Sequence, residues 1–176
     1  MHGIATFLPL LQQKQTPTAI IVTGSKQGIT NPPGAGNPAY NASKAAIKSL
    51  AEHLAHDVRD PSSGSHSLNT SVHLLIPGWT WTSLMHSSGP EPNLDDKPSG
   101  AWLPSQVAEY AYKKIGENAF YIVCPDNDVS EELDQARMAW GANDVTEGRP
   151  ALSRWNEEWK DRAAEWIEKE ATSRKK

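Results

Sequence analysis

Tyr40 and Lys44 are four residues apart, and Ser25 precedes them. On a helix, side chains with this spacing lie on one face, about one turn apart. A free phenol ionises near pH ~10, too high for efficient proton transfer at neutral pH, but a neighbouring ammonium stabilises the phenolate. A hydroxyl such as that of Ser25 could bind a carbonyl or alcohol oxygen beside the phenol. The three residues therefore have the chemistry of a carbonyl/alcohol redox site.

The same three residues also have a less specific interpretation. A Tyr and a Lys at this spacing most often form a packed ring beneath a solvated amine. Ser25 could be a turn serine whose hydroxyl binds its own backbone. The elements that position the residues decide between these interpretations.

The surrounding pattern is typical of an α/β fold. Ala19–Ser25 is predicted to be a buried strand that ends in a turn. A Gly/Pro-rich loop, Asn31–Asn37, follows it. A helix is then predicted to begin with Asn37 as its N-cap and Pro38 at its first position. A second strand is predicted over Val72–Ile76, so the chain alternates strand, helix and strand.

The order of three motifs resembles the short-chain dehydrogenase/reductase family. Ser25 comes first, the Tyr-Asn-Ala-Ser-Lys run Tyr40–Lys44 second, and the Pro-Gly-x-x-x-Thr run Pro77–Thr82 third. The resemblance implies part of a Rossmann-like, doubly wound α/β fold, with about three parallel strands and flanking helices.

The resemblance also implies roles for these residues. Tyr40 would act as general acid/base, Lys44 would stabilise the phenolate and hold the cofactor ribose, and Ser25 would polarise the substrate oxygen. The cofactor would be NAD or NADP, and the substrate a small carbonyl compound or alcohol. The implied cofactor-binding residues are Tyr40, Lys44, Pro77, Gly78, Thr80 and Thr82. The alternative for Pro77-Gly78 is a sharp turn without a ligand.

The cofactor-binding half of this family is not in the sequence. The family places a Gly-rich, pyrophosphate-binding half before a helix that corresponds to His2–Gln13. Thr23–Ile29 fits that Gly-rich motif, except that Thr30 replaces the last glycine. The loop that begins at Asn31 cannot start the long helix which the motif requires, so we reject this assignment. Residues 1–176 are expected to form a single truncated Rossmann-like domain.

The second half of the sequence is predicted to add a lid, a helix, a strand and a helical extension. Residues 83–100 are rich in Ser, Gly, Pro and Asp, which indicates a flexible loop over the substrate. A helix is predicted over Pro104–Gly116 and a third buried strand over Phe120–Cys124. The flanking aromatic and sulfur side chains could line an apolar pocket or belong to the core: Trp79, Trp81, Met85 and Trp102.

Residues 126–176 are predicted to form the helical extension. Asp128 and Glu131 make a plausible capping box for its first helix. The last helix would carry an apolar stripe that packs on the domain or on another subunit: Trp155, Trp159, Trp166 and Ile167.

Composition restricts the possible partners. The 176 residues carry a net charge of −4, so nothing demands nucleic acid or a membrane as a partner. The six histidines lack metal-ligand spacing, and we expect no metal. The single cysteine, Cys124, excludes an internal disulfide and fits a cytoplasmic protein, and its apolar strand predicts a core position.

Three functional hypotheses follow. The first is an NAD(P)-dependent oxidoreductase, truncated and with weak or no activity of its own. The second is a non-catalytic module that forms a homodimer through the Tyr40–Lys44 helix and the N-terminal helix. The third is a hydrolase with Ser25 as nucleophile, which the absence of a Gly-x-Ser-x-Gly turn disfavours.

Overall fold

The computed structural model describes residues 2–83, 94–126 and 129–175. Three strands and six α-helices occur in this part of the chain. In chain order they are α1 (His2–Gln12), β1 (Thr18–Thr23), α2 (Gln27–Thr30), α3 (Asn37–Arg59), β2 (Thr70–Ile76), α4 (Pro104–Gly116), β3 (Tyr121–Val123), α5 (Glu131–Thr146) and α6 (Lys160–Arg174). Short 3₁₀ turns occur at Leu94–Asp96 and Ser153–Trp155.

The three strands form one parallel sheet in the order β1-β2-β3, which confirms the predicted α/β class. Helix α3 connects β1 to β2, and α4 lies between β2 and β3 in the chain. On one face of the sheet, Leu54 and Val58 of α3 pack with Val72. On the other face, Val107 of α4 packs with Ile122. The sheet is therefore covered on both faces where β2 and β3 lie.

Strand β1 is not the buried strand that its sequence predicted. Its residues alternate between half-buried and exposed, and Ile21 is 47% exposed. In the described part of the chain, β1 pairs only with β2. The apolar run predicts a buried strand, but in the described residues only the face of β1 that packs with α3 is covered.

Helix α3 begins one residue earlier than predicted. Gly36 is its N-cap, with a φ of 81°, and Asn37 is the first helical residue. The Asn37 side chain donates a hydrogen bond back to the Pro33 carbonyl oxygen at 3.2 Å. The left-handed conformation at the cap is one that glycine adopts at little cost. The prediction of Asn37 as N-cap was therefore wrong by one position.

Strand β3 is shorter than the predicted Phe120–Cys124 but occupies its centre. Cys124 follows the strand and is 1% exposed, which confirms the predicted core position. Burial raises the pKa of its thiol to about 11. A thiol so protected from ionisation is not a nucleophile at neutral pH.

The C-terminal helices pack on each other. Trp166 of α6 lies with its ring centroid 5.6 Å from that of Trp140 in α5, and Ile167 belongs to the same buried cluster. The apolar stripe is thus covered within the chain. Trp155 and Trp159 precede α6, so the prediction that they lie in the last helix was wrong.

The cap of α5 is Ser130, whose Oγ accepts a hydrogen bond from the Leu133 N–H at 3.3 Å. The predicted capping residue, Asp128, lies outside the described residues, as do Met85 and most of the predicted lid.

Candidate active site

Tyr40 and Lys44 lie together in the first turns of α3, at the carboxyl end of β1. The Lys44 Nζ is 5.8 Å from the centroid of the Tyr40 ring. It also donates a hydrogen bond to the carbonyl oxygen of Thr23, the last residue of β1, at 3.1 Å. Tyr40 is 36% exposed, and its hydroxyl has no hydrogen bond to any residue that the structure describes. A ligand can therefore reach the phenol.

Gly28 makes this placement of Lys44 possible. A Cβ at Gly28 would lie 2.6 Å from the Lys44 Cβ and 2.8 Å from the backbone nitrogen of Ala45. Such distances are far inside van der Waals contact, so only glycine lets α2 approach α3 this closely. The glycine that fitted the rejected phosphate-binding motif thus has a packing role in this chain.

Ser25 lies in the turn between β1 and α2. Its Oγ accepts a hydrogen bond from the Gln27 N–H at 3.2 Å, which is the turn geometry of the less specific interpretation. The hydroxyl proton is still free to be donated to another oxygen. Within the described ranges, no hydrogen bond joins Ser25 to Tyr40 or Lys44. The structure thus brings Tyr40 and Lys44 together and leaves Ser25 as a separate donor on the adjoining turn.

Asn41 fixes the loop that separates Ser25 from Tyr40. Its side chain is buried, and its Nδ2 donates to the Asn31 Oδ1 at 3.1 Å and to the Pro32 carbonyl oxygen at 2.9 Å. Sequence reasoning missed this residue. An Asn inside a helix and next to the candidate acid/base was the available signal, because a buried amide needs partners.

The run Pro77–Thr82 follows β2, so it lies at the same edge of the sheet as the end of β1. Its backbone pairs with Trp102 through the Trp81 N–H and the Trp79 carbonyl oxygen, at 2.8 and 2.9 Å. The Thr80 Oγ1 donates to the Gly78 carbonyl oxygen at 3.3 Å. Among the described residues, the Thr80 backbone groups and the Thr82 hydroxyl bind no other group. These groups could bind a cofactor amide.

The tryptophans around this run have different environments. Trp81 is 4% exposed and belongs to the core, whereas Trp79 is 41% exposed. Trp102 is half-buried and packs edge-on against Tyr110. Of these three, only Trp79 is placed to report on a ligand at the edge of the sheet.

Lys26, in the turn after β1, is linked through Asp126 to the Pro77–Thr82 run after β2. The sequence did not predict this connection. The Lys26 Nζ lies 2.6 Å from the Asp126 Oδ1 and also pairs with Asp134 of α5. Asp126 in turn accepts the Trp79 N–H. A Cβ at Gly78 would collide with Asp126 and with the Lys26 Nζ, so this glycine is needed for close approach. We call Lys26, Asp126 and Asp134 the ionic cluster.

The ionic cluster is shielded from water. The Lys26 side chain is 12% exposed, and that of Asp134 is 3% exposed. Burial raises the pKa of the Asp134 carboxyl, against the opposing effect of Lys26. Buried charges such as these require one another, because removal of one leaves the others without a counterion.

The described residues form neither a metal-binding cluster nor a membrane-spanning helix. They contain no group of three or more His, Cys, Asp or Glu side chains placed to hold a metal ion. None of their helices has both the length and the apolar character required to cross a bilayer.

Comparison with known proteins agrees with this geometry. A model of the short chain dehydrogenase family matches residues 1–93, just over half of the chain, and this range contains Ser25, the Tyr40–Lys44 run and the Pro77–Thr82 run. The chain belongs to the short chain dehydrogenase family. No curated protein matches the sequence.

A solved structure has the same fold. It is the crystal structure of a short chain dehydrogenase/reductase from Burkholderia phymatum in complex with NAD, at a TM-score of 0.62 and 24% sequence identity. The match covers 85% of this chain and 55% of that chain. The protein described here therefore corresponds to little more than half of the length of that relative.

Proposed function

We propose that this chain carries the acid/base site of an NAD(P)-dependent oxidoreductase that acts on a carbonyl compound or an alcohol. The observation that carries the proposal is the position of the Lys44 Nζ, between the Tyr40 ring and the end of β1. An exposed phenol beside a lysine, at the edge where ligands bind in open α/β sheets, is suited to proton transfer.

The proposed roles follow from the chemistry of each group. In reduction, the Tyr40 hydroxyl gives its proton to the substrate oxygen, and in oxidation the phenolate takes that proton back. The Lys44 ammonium stabilises the phenolate in both directions. The Ser25 hydroxyl donates a hydrogen bond to the same substrate oxygen and so stabilises its developing charge.

The residues at the edge of the sheet fit a nicotinamide cofactor. NAD or NADP, when bound, supplies or accepts the hydride. Lys44 and Tyr40 would hold its ribose, and the unbonded groups of Thr80 and Thr82 suit its amide, beside Pro77 and Gly78. The related structure from Burkholderia phymatum was crystallised with NAD, which supports a dinucleotide here.

We further propose that this chain alone binds the cofactor weakly. Dinucleotide affinity depends largely on the pyrophosphate at a Gly-rich turn that leads into a long helix. After β1 the described structure has only the one-turn helix α2, and α3 begins after the intervening loop. Neither β2 nor β3 is followed directly by a helix.

A second candidate function is a non-catalytic module that forms a homodimer. Helix α1 presents Phe7 at 59% and Leu10 at 54% exposure. Large apolar side chains exposed on one helix favour an interface. In this proposal α1 and the Tyr40–Lys44 helix face the second copy.

Titration of the protein with NADH, followed by tryptophan fluorescence, distinguishes the two functions. Trp79 lies beside the proposed site and is exposed, so binding should change its emission. Tyr40→Phe should abolish turnover of a carbonyl substrate and weaken NADH binding only slightly, because Lys44 still holds the ribose. Tyr112→Phe, on an 82% exposed residue of α4, should change neither. A folded dimer that does not respond to NADH would instead support the interaction module.

A further inference from the structure

A second site lies between the C-terminal helices, away from Tyr40. A cavity of about 490 Å³ is lined by α5, α6 and the turn that precedes α6. Its lining contains four basic side chains: Arg137, Arg154, Lys160 and Lys175. Glu168 is the only acidic side chain among the described residues that line it. We call this cavity the cationic groove.

Arg154 carries the least compensated charge of the groove. The Arg137 Nη1 is 3.7 Å from the Asp134 Oδ1, and because Lys26 is shared between Asp134 and Asp126, this carboxylate partly compensates Arg137. Arg154 lies over the Trp155 ring at 4.9 Å, and no described acidic side chain lies within ion-pair distance of it. Burial, and then the charge of Arg137, lower the pKa of the Arg154 guanidinium, against the opposing effect of Asp134. Two partly buried cations therefore repel each other.

The two lysines are better compensated. Lys160 is 2.6 Å from the Glu157 carboxylate. The charge of Lys175 acts on Glu132 in the first turn of α5. The excess of positive charge is thus centred on Arg154, and Arg137 and the apolar side chains Leu133 and Ile167 line the same groove.

We infer that the cationic groove is a binding site for a small anion that carries phosphate or carboxylate groups. A guanidinium is planar and binds either group through two parallel hydrogen bonds. An anion between Arg137 and Arg154 removes their repulsion, and the half-buried position strengthens the attraction. A volume of this size is in the range of small-molecule sites. The inference does not depend on the proposed oxidoreductase function, because none of the residues at the edge of the sheet takes part.

Isothermal titration calorimetry on the full chain tests the inference, with inorganic pyrophosphate and succinate as probes at constant ionic strength. Saturable binding of either probe is expected, and the preferred probe identifies the anionic group. Arg154→Gln and Arg137→Gln should each weaken binding about tenfold or more, since each removes charged hydrogen bonds. Arg154→Lys, which keeps the charge, should recover part of the loss.

Arg162→Gln is the matched control. Arg162 lies on α6 and stacks on Trp159 at 4.4 Å, but it does not line the groove. Its substitution should leave binding unchanged, with thermal unfolding used to establish that each variant is folded. The inference is overturned if folded wild-type protein shows no saturable binding of either probe, or if Arg162→Gln weakens binding as much as Arg137→Gln does.

Discussion

Lys44 donates a hydrogen bond from Nζ to the Thr23 carbonyl oxygen, which fastens the first turns of α3 to the last residue of β1. The same nitrogen lies near the Tyr40 ring. The Lys44 side chain therefore both joins α3 to β1 and places a positive charge near the Tyr40 phenol. Removal of its charge should affect the site much more than it affects the stability of the fold.

Lys44→Met is expected to weaken NADH binding by about tenfold, the usual cost of losing one charged hydrogen bond. The free energy of unfolding should fall by less than about 1 kcal/mol, because the lost bond is exposed. Fluorescence titration and urea denaturation measure the two effects. Lys113→Met, on an exposed lysine of α4, is the control. Equal NADH affinity in both variants would show that Lys44 does not contribute to NADH binding.

Gly28→Ala should destabilise the protein by about 1–3 kcal/mol, the usual cost of overpacking. The new methyl group would press on the Lys44 backbone and Cβ, and both are fixed parts of α3. Gly141→Ala provides the opposite control. Gly141 lies inside α5 with nothing within 4 Å of a new Cβ, so alanine should stabilise that helix by about 0.5–1 kcal/mol. Urea denaturation of both variants tests the contrast, and a neutral Gly28→Ala would refute the close packing of α2 on α3.

The parts of the site that depend on local spacing were predictable. Tyr40 and Lys44 share one helix, and the position of that helix after a Gly/Pro-rich loop followed from its Pro and apolar pattern. The α/β class followed from the alternation of strands and helices, and the parallel sheet of about three strands followed from the family resemblance.

The parts that depend on contacts distant in sequence were not predictable. Lys26 and Asp126 are separated by 100 positions, and no local pattern connects them. The exposure of Ile21 depends on which elements cover β1, so an apolar run alone suggested full burial. Helix α4 ends at Gly116 as predicted, but the positive φ of 56° that follows it is at Asn118, which no local pattern indicated.

Lys26→Met should be the most damaging of these substitutions. It leaves the Asp126 carboxylate without a counterion and Asp134 with only the more distant Arg137, at an expected cost of about 3–5 kcal/mol. Because Asp126 also holds the Trp79 N–H, the emission of Trp79 should shift in any folded variant. The measurements are thermal unfolding and the fluorescence spectrum of the free protein. Lys113→Met again serves as the control. An unchanged stability would mean that the ionic cluster is not a structural anchor.

Tyr121 is expected to make stability fall in alkaline solution. Burial, together with the hydrogen bond that its hydroxyl donates to Glu52, raises the pKa of Tyr121 to about 12. The folded state therefore keeps the phenolic proton at a pH where the unfolded chain has lost it. This contribution is fully present below pH ~10 and is lost as the pH rises towards the folded pKa.

Urea denaturation between pH 9 and pH 12 should show this decline in wild-type protein, and Tyr121→Phe should flatten it. Tyr112→Phe alters an 82% exposed phenol and should leave the slope as it is in wild type. Burial also raises the pKa of Tyr110, so part of the decline in stability should remain in every variant. Because Tyr121 is half-exposed, solvent screening makes its contribution to the free energy of unfolding smaller than the full pKa shift would give. The same slope in wild-type protein and in Tyr121→Phe would show that the bond to Glu52 does not hold the proton.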